Sequence, residues 1–174
     1  MKKKIVLIGM MGSGKTTIGK ILSKNLKLNF VDTDILLEKE YGLKITKIFE
    51  KYGEKDFRDK EEKIVLNILK NNIKTCVIAL GGGTFLNKKI QKIILKETIS
   101  IWLDANIDLI YKRCKKSNQR PLLNKSNDKK LRKIIKDLLK IRKPIYSKAK
   151  FMIKTDKNPV KVCKKILICI KNLI

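Results

Sequence analysis

The sequence predicts an α/β fold in which a parallel β-sheet is covered by helices on both faces. Three observations carry this expectation. Short apolar runs (Ile5-Val6-Leu7-Ile8 and Thr75-Cys76-Val77-Ile78-Ala79-Leu80) lack the alternation of a half-solvated strand and read as buried strands, and Thr98-Ile99-Ser100-Ile101-Trp102-Leu103 reads as a further strand. Segments of helical period lie between them, and strand followed by helix is the order that builds a parallel sheet. The third is Gly9-Met10-Met11-Gly12-Ser13-Gly14-Lys15-Thr16-Thr17, which fits G-x-x-x-x-G-K-[ST] and joins the first apolar run to the first helical segment.

Length and composition bound the problem. A chain of 174 residues with 43% apolar content is expected to form one globular domain over 1–174, long enough to bury a real core. No apolar stretch approaches the ~20 residues needed to span a bilayer. Lys2 to Lys4 precede apolar residues, but Gly9 breaks that run and no small-residue cleavage site follows, which argues against a signal peptide. The four cysteines (Cys76, Cys114, Cys163, Cys169) show no C-x-x-C spacing and histidine is absent, so a zinc site is not expected and the thiols are read as reduced, as in a cytoplasmic protein. The net charge of +27 taken alone suggests a nucleic-acid partner. However, all but five of the 43 basic residues are lysine, and with 27 Ile and 12 Asn this follows AT-rich codon usage. The lysines are also scattered rather than gathered in one basic arm, so nucleic-acid binding stands only as a rival reading and solvated faces as the main one.

In chain order, residues 4–9 read as the first strand and 14–27 as a helix with Ile18, Ile21, Leu22 and Leu26 on its apolar face. Between them the glycines let successive N–H groups turn toward an anion, and the helix start adds the positive end of its dipole. Gly12, Ser13, Gly14, Lys15, Thr16 and Thr17 are therefore candidate nucleotide ligands. Lys15 is expected to reach the β and γ phosphates of a nucleotide, and the Thr16 hydroxyl to hold Mg²⁺. A short second strand at 28–31 leads into Asp32-Thr33-Asp34. Residues two apart in an extended segment face the same way, so both carboxylates are expected beside the phosphate loop, one serving Mg²⁺ through water and the other meeting a substrate hydroxyl. The bland alternative is that Asp32 or Thr33 caps a helix beginning at Ile35.

Residues 35–70 have helical period with a break at Gly53. Arg58 stands there as one of five arginines in a chain that otherwise uses lysine, which suggests a need for the planar fork that grips a carboxylate or phosphate with two parallel bonds; an i, i+3 surface pair with Glu61 is the plain alternative. The strand at 75–80 ends in Gly81-Gly82-Gly83, where a ligand can approach the backbone closely. A helix near 87–97, a strand at 98–103 and a helix near 106–116 follow. Ser117 to Asp128 is polar and long for a compact domain, and reads as a lid whose Arg120 can close on the transferred phosphate. A helix from 129 ends in Arg142-Lys143-Pro144-Ile145-Tyr146, Phe151-Met152-Ile153 is the last strand, and a final helix carries Val160, Cys163, Leu167, Ile170 and Ile174 as its core stripe.

Taken together, the phosphate loop, Asp-x-Asp after strand two, Gly-Glu-x-x-Phe-Arg-x-x-Glu from Gly53 to Glu61, Gly-Gly-Gly, Arg120-Pro121-Leu122-Leu123 and Arg-x-Pro-x-Tyr resemble the shikimate kinase family over about residues 5 to 160. The resemblance implies a P-loop NTPase fold of the nucleoside-monophosphate-kinase type: a three-layer sandwich around a five-stranded parallel sheet in order 2-3-1-4-5. It also implies a substrate-binding region near 32–61 and a lid near 115–127. The implied reaction is ATP-dependent phosphorylation of the 3-hydroxyl of shikimate, in aromatic amino-acid synthesis. By position, Asp34 contacts the ring hydroxyls and is the candidate base, Arg58 and Arg142 hold the carboxylate, and Gly82 and Gly83 lie against the substrate. Thr16 and, through water, Asp32 serve Mg²⁺; Arg120 is the lid arginine; Arg113 lies along the adenine. The family often has an arginine in the turn after the last strand, where this chain has Lys157. A cytoplasmic monomer is expected, with ATP and shikimate as its partners. Another small-molecule kinase such as a gluconate kinase is the alternative within the same fold.

Overall fold

A computed structural model describes residues 4–70, 75–115, 128–155 and 158–173. Five strands, β1 (Ile5–Ile8), β2 (Asn29–Asp32), β3 (Cys76–Ala79), β4 (Ile99–Ala105) and β5 (Phe151–Thr155), form one sheet in the order β2-β3-β1-β4-β5. Every neighbouring pair is parallel, with Leu7 of β1 opposite Ala79 on one side and Ile101 on the other. The helices are α1 (Lys15–Leu26), α2 (Thr33–Tyr41), α3 (Ile45–Lys70), α4 (Lys88–Glu97), α5 (Ile107–Lys115), α6 (Asp128–Tyr146) and α7 (Pro159–Ile170).

The three layers follow from strand alternation. Ile5, Leu7, Val77, Ile99, Ile101 and Leu103 project to one face, where α1 contributes Ile18 and Leu22 and α7 contributes Val162, Ile166 and Ile170. Val6, Ile8, Ile78 and Trp102 project to the other, under Val65 and Leu69 of α3, Ile90 and Ile94 of α4, and Ile135 and Leu139 of α6. Apolar neighbours on both faces are the reason that β1 and β3 read as unbroken hydrophobic runs. A small separate cluster of Leu37, Ile48 and Phe57 holds α2 against α3.

Two expectations need correction. The last helix buries Val162, Cys163, Ile166 and Ile170, whereas Val160 is half exposed. The buried stripe is turned toward Val162 and Ile166, which with Ile170 recur every four residues; Leu167 is only partly buried, and Ile174 lies outside the described residues. In addition, α2 begins at Thr33 rather than Ile35, so Asp34 lies in the first turn of a helix and not in an extended segment. The break at Gly53 is present as a kink within α3: its φ of 79° and ψ of 171° belong to a region that essentially only glycine enters.

The parallel register brings the carboxyl ends of β1, β2 and β3 to one edge, Asp32 opposite Ala79. The loops that leave them are Gly9 to Gly14, Asp32 to Asp34 and Gly81 to Gly83. In sheets of this kind the crevice outside the carboxyl ends is where ligands bind.

Candidate active site

Gly14 (φ 99°) caps α1 and turns the chain from β1 into the helix. Ser13 closes the loop, its N–H donating to the Met10 carbonyl (3.1 Å) and its hydroxyl buried against Gly9. Lys15, only 9% exposed as a residue, lays its ammonium over the loop and donates to the carbonyls of Gly9 (2.8 Å) and Met10 (3.0 Å). Thr16 and Thr17 are exposed on the first turn. From α5, Arg113 reaches across and donates from Nη1 to the Gly12 carbonyl (2.9 Å), tying that helix to the phosphate loop.

Asp32 takes the capping role and is also tied to the phosphate loop through Thr16. One carboxylate oxygen caps α2, accepting from the N–H of Asp34 (3.0 Å) and Ile35 (3.4 Å); the other accepts from the Thr16 hydroxyl (2.7 Å). The Thr16–Asp32 pair therefore presents two hard oxygen donors next to the phosphate loop. Among the described residues no group of three or more His, Cys, Asp or Glu is placed to hold a metal. One hydroxyl and one carboxylate suit Mg²⁺, an ion that keeps waters and takes its remaining ligands from phosphates.

The triple-glycine loop is held from three elements. Thr33 at the start of α2 accepts from the Gly81 N–H (3.0 Å), and Thr84 donates to Glu61 of α3 (2.6 Å). On α6, Tyr146 Oη and Arg142 Nη1 (3.2 Å) both donate to the Gly82 carbonyl, and Arg142 Nη1 also lies 3.5 Å from Met10 Sδ. Asp34 packs on the same loop: a side chain at Gly81 would put its first carbon 2.7 Å from Asp34 Oδ1 and 2.8 Å from Glu61 Oε1. Gly83 is equally constrained, since a Cβ there would sit 2.9 Å from both terminal nitrogens of Arg58. The absence of side chains at 81–83 is what lets carboxylates and guanidinium meet the backbone.

Burial is the largest influence on Asp34 and pushes its pKa from 3.8 to about 6. Lys15 pulls the other way, Asp32 and Glu61 add to the rise, and Arg58 opposes it. A carboxylate so placed is more basic than an ordinary aspartate and still ionised at neutral pH. Arg58 bonds Glu61 Oε2 (2.7 Å) and Glu54 Oε1 (3.4 Å). Burial alone would lower its pKa, but the Glu61 and Glu54 carboxylates more than offset this and hold it above its ordinary value. The Arg58–Glu61 pair that the i, i+3 spacing allowed does form, yet it is no surface pair, because the Glu61 side chain is 4% exposed. A cleft of about 340 Å³ opens here, with Arg58, Glu61, Gly83, Leu86 and Arg142 among its lining residues.

The structure thus brings Lys15, Thr16, Asp32, Asp34, Arg58, Gly82, Gly83 and Arg142 to one edge of the sheet. Arg132, the arginine without an assigned role, is accounted for separately: it pairs with Asp108 (2.7 Å) and stacks over the Tyr111 ring. Arg120, Lys157 and all of the expected lid except Lys115 lie outside the described residues. Sequence reasoning passed over Glu61 as a buried hub and Tyr146 as a loop anchor. Both were visible as the ends of Arg-x-x-Glu and Arg-x-Pro-x-Tyr, but only a folded chain shows that neither points to solvent.

Comparison with known proteins agrees with this geometry. The sequence model of the shikimate kinase family matches residues 11–171. A shikimate kinase of Thermodesulfovibrio yellowstonii is 42% identical over 166 residues, covering 95% of this chain and 93% of that protein. One from Caldicellulosiruptor bescii is 44% identical over 154 residues, covering 88% and 87%. Among solved structures, shikimate kinase from Acinetobacter baumannii in complex with shikimate superposes with a TM-score of 0.89 at 33% identity, covering 99% of this chain and 96% of that one.

Proposed function

The chain belongs to the shikimate kinase family, and from that premise we propose how its own residues carry out the ATP-dependent phosphorylation of shikimate. The observation that carries the assignment is the placing of two arginines, Arg58 from α3 and Arg142 from α6, against Gly83 and Gly82. Both stand beside a phosphate loop, with Asp34 packed on the same glycines. An anionic, hydroxylated small molecule seated in that cleft has its carboxylate met by the arginine forks and a hydroxyl turned to Asp34. No basic arm is needed for this, and the exposed lysines are scattered over α4, α6 and α7 rather than gathered in one arm, so nucleic acid is not part of the reading.

In the proposed mechanism, Lys15 leaves the Gly9 and Met10 carbonyls to hold the β and γ phosphates of ATP, with Gly12, Gly14 and Thr17 of the loop around them. Arg113 keeps the loop in place through Gly12 and borders the adenine side. Thr16 and Asp32 would hold Mg²⁺, which would neutralise phosphate charge. Arg58 and Arg142 fix the shikimate carboxylate and so aim its 3-hydroxyl at the γ phosphorus. The hydroxyl oxygen forms the new P–O bond, the bond to the β-phosphate oxygen breaks, ADP leaves, and the hydroxyl proton passes to Asp34. Positioning and charge neutralisation supply most of the rate, since phosphoryl transfer asks little covalent work of the protein. The working form is a cytoplasmic monomer of one kinase domain, and among the described residues no helix is long and apolar enough to cross a membrane.

Arg142→Lys tests the assignment. It keeps the charge and loses the fork, and a charged hydrogen bond is worth roughly 1.5–3 kcal/mol, so KM for shikimate should rise about ten- to a hundredfold while KM for ATP barely moves. Arg132→Lys, at a residue that pairs with Asp108 and stacks over Tyr111, should change neither. Steady-state titrations of both substrates on each variant decide it, and a larger change for ATP than for shikimate would move Arg142 to the nucleotide side.

A further inference from the structure

We infer that Tyr146 is a positioning residue for the acceptor substrate: its hydroxyl fixes the Gly82 carbonyl, and that carbonyl in turn orients the Arg142 guanidinium toward the cleft. The inference rests on the assignment of Arg142 to the substrate carboxylate.

Tyr146 is completely buried in the last turn of α6, four residues and so about one turn beyond Arg142. Its ring packs against Trp102 of β4, with centroids 6.1 Å apart, and its hydroxyl emerges at the triple-glycine loop to donate to Gly82. Arg142 Nη1 donates to the same oxygen at 3.2 Å. A carbonyl oxygen has two lone pairs, and here both are used by one helix face. The two donors fix where that oxygen sits, and the oxygen in turn restrains the guanidinium of Arg142, a residue only 6% exposed. An arginine fork grips a carboxylate well only when its plane is set beforehand, because a free side chain of that length loses rotamer entropy on binding. Burial also holds the Tyr146 phenol above its ordinary pKa, so the group remains a proton donor through the working pH range. A second consequence concerns the loop itself. Gly82 also passes close to the phosphate loop, where a Cβ on it would lie 3.2 Å from the Met11 nitrogen. Loss of the tyrosine hydroxyl therefore loosens the loop on the acceptor side, while Lys15 and the loop carbonyls it bonds keep their contacts.

Tyr146→Phe keeps the ring and removes only the hydroxyl. The expected result is a rise of about three- to tenfold in KM for shikimate, the loss of one buried hydrogen bond, with KM for ATP unchanged and kcat within about twofold. If the hydroxyl acts through Arg142, adding Tyr146→Phe to Arg142→Lys should raise KM for shikimate by less than twofold more, a non-additivity that a double-mutant cycle reads directly. Trp102→Phe disturbs the packing of the same ring without touching the hydroxyl and should lower Tm while leaving KM for shikimate as it was. A Tyr146→Phe protein that loses Tm but keeps its KM overturns the inference, as does a full multiplicative effect in the double variant or an equal KM rise in Trp102→Phe. If Arg142→Lys alone leaves KM for shikimate unmoved, the substrate assignment fails and the inference falls with it; if Arg142→Lys raises KM and Tyr146→Phe does not, only the inference falls.

Discussion

Lys15→Ala is expected to reduce phosphoryl transfer on the order of a thousandfold or more, with the fold retained. The size follows from what is removed: the one loop side chain that places a full positive charge beside the phosphates, in a site where it is 9% exposed and weakly screened. In the folded protein that ammonium bonds two carbonyls, Gly9 and Met10, so some stability is lost as well, about 1–3 kcal/mol for a buried acceptor left unpaired. Circular dichroism and a thermal melt establish that the variant is folded, and initial rates of ADP formation measure the loss. A folded Lys15→Ala protein with undiminished turnover would remove the phosphate loop from the chemistry.

The second large effect belongs to Asp34→Asn. The amide keeps the shape of the carboxylate and cannot take a proton, so kcat should fall by roughly 10²- to 10⁴-fold, the usual contribution of a general base, while ATP still binds. The pH dependence of the unmodified protein carries the same signature. Because burial first of all raises the Asp34 pKa to about 6, kcat/KM for shikimate should fall as pH drops through about 6 as the carboxylate takes up its proton. Stability runs the opposite way. A folded-state pKa raised above the unfolded value gives a contribution fully present below about pH 4 and lost as pH rises through about 6. Ionised Asp34 therefore costs stability at neutral pH, and Asp34→Asn should melt higher than the parent at pH 7 while losing its turnover. A kcat within about twofold of the parent would show that Asp34 is not the base.

Much of this was legible in the residues themselves. The central strands β1 and β3 announced themselves because burial on both faces forbids polar alternation, as in Val77-Ile78-Ala79, and the phosphate loop because its spacing is fixed by backbone geometry. The arginines stood out against lysine. Other features were hidden for physical reasons. An Asp at a strand's end can continue the strand or begin a helix, and only the Asp32 cap onto Asp34 and Ile35 decides it, which is why the carboxylates were expected from the alternation of an extended segment. Periodicity places an apolar stripe only to within a residue or two when several positions qualify, so Val160 was assigned to the core where Val162 is buried. Above all, a spacing of three between Arg58 and Glu61 says that they touch but not whether water surrounds them. Burial of Glu61 depends on Thr84 and the glycine loop, which are more than twenty residues away in the chain.

Acceptance of shikimate in the cleft between Arg58, Arg142 and the glycine loop can be measured directly. The direct measurement is ADP release from ATP with Mg²⁺ on adding shikimate, compared under the same conditions with gluconate and with nucleoside monophosphates. Rapid, saturable ADP release is expected with shikimate and none above background with the others, because only a small carboxylate bearing a ring hydroxyl engages both arginines and Asp34 at once. Turnover with gluconate or a nucleoside monophosphate that matched or exceeded turnover with shikimate would contradict it.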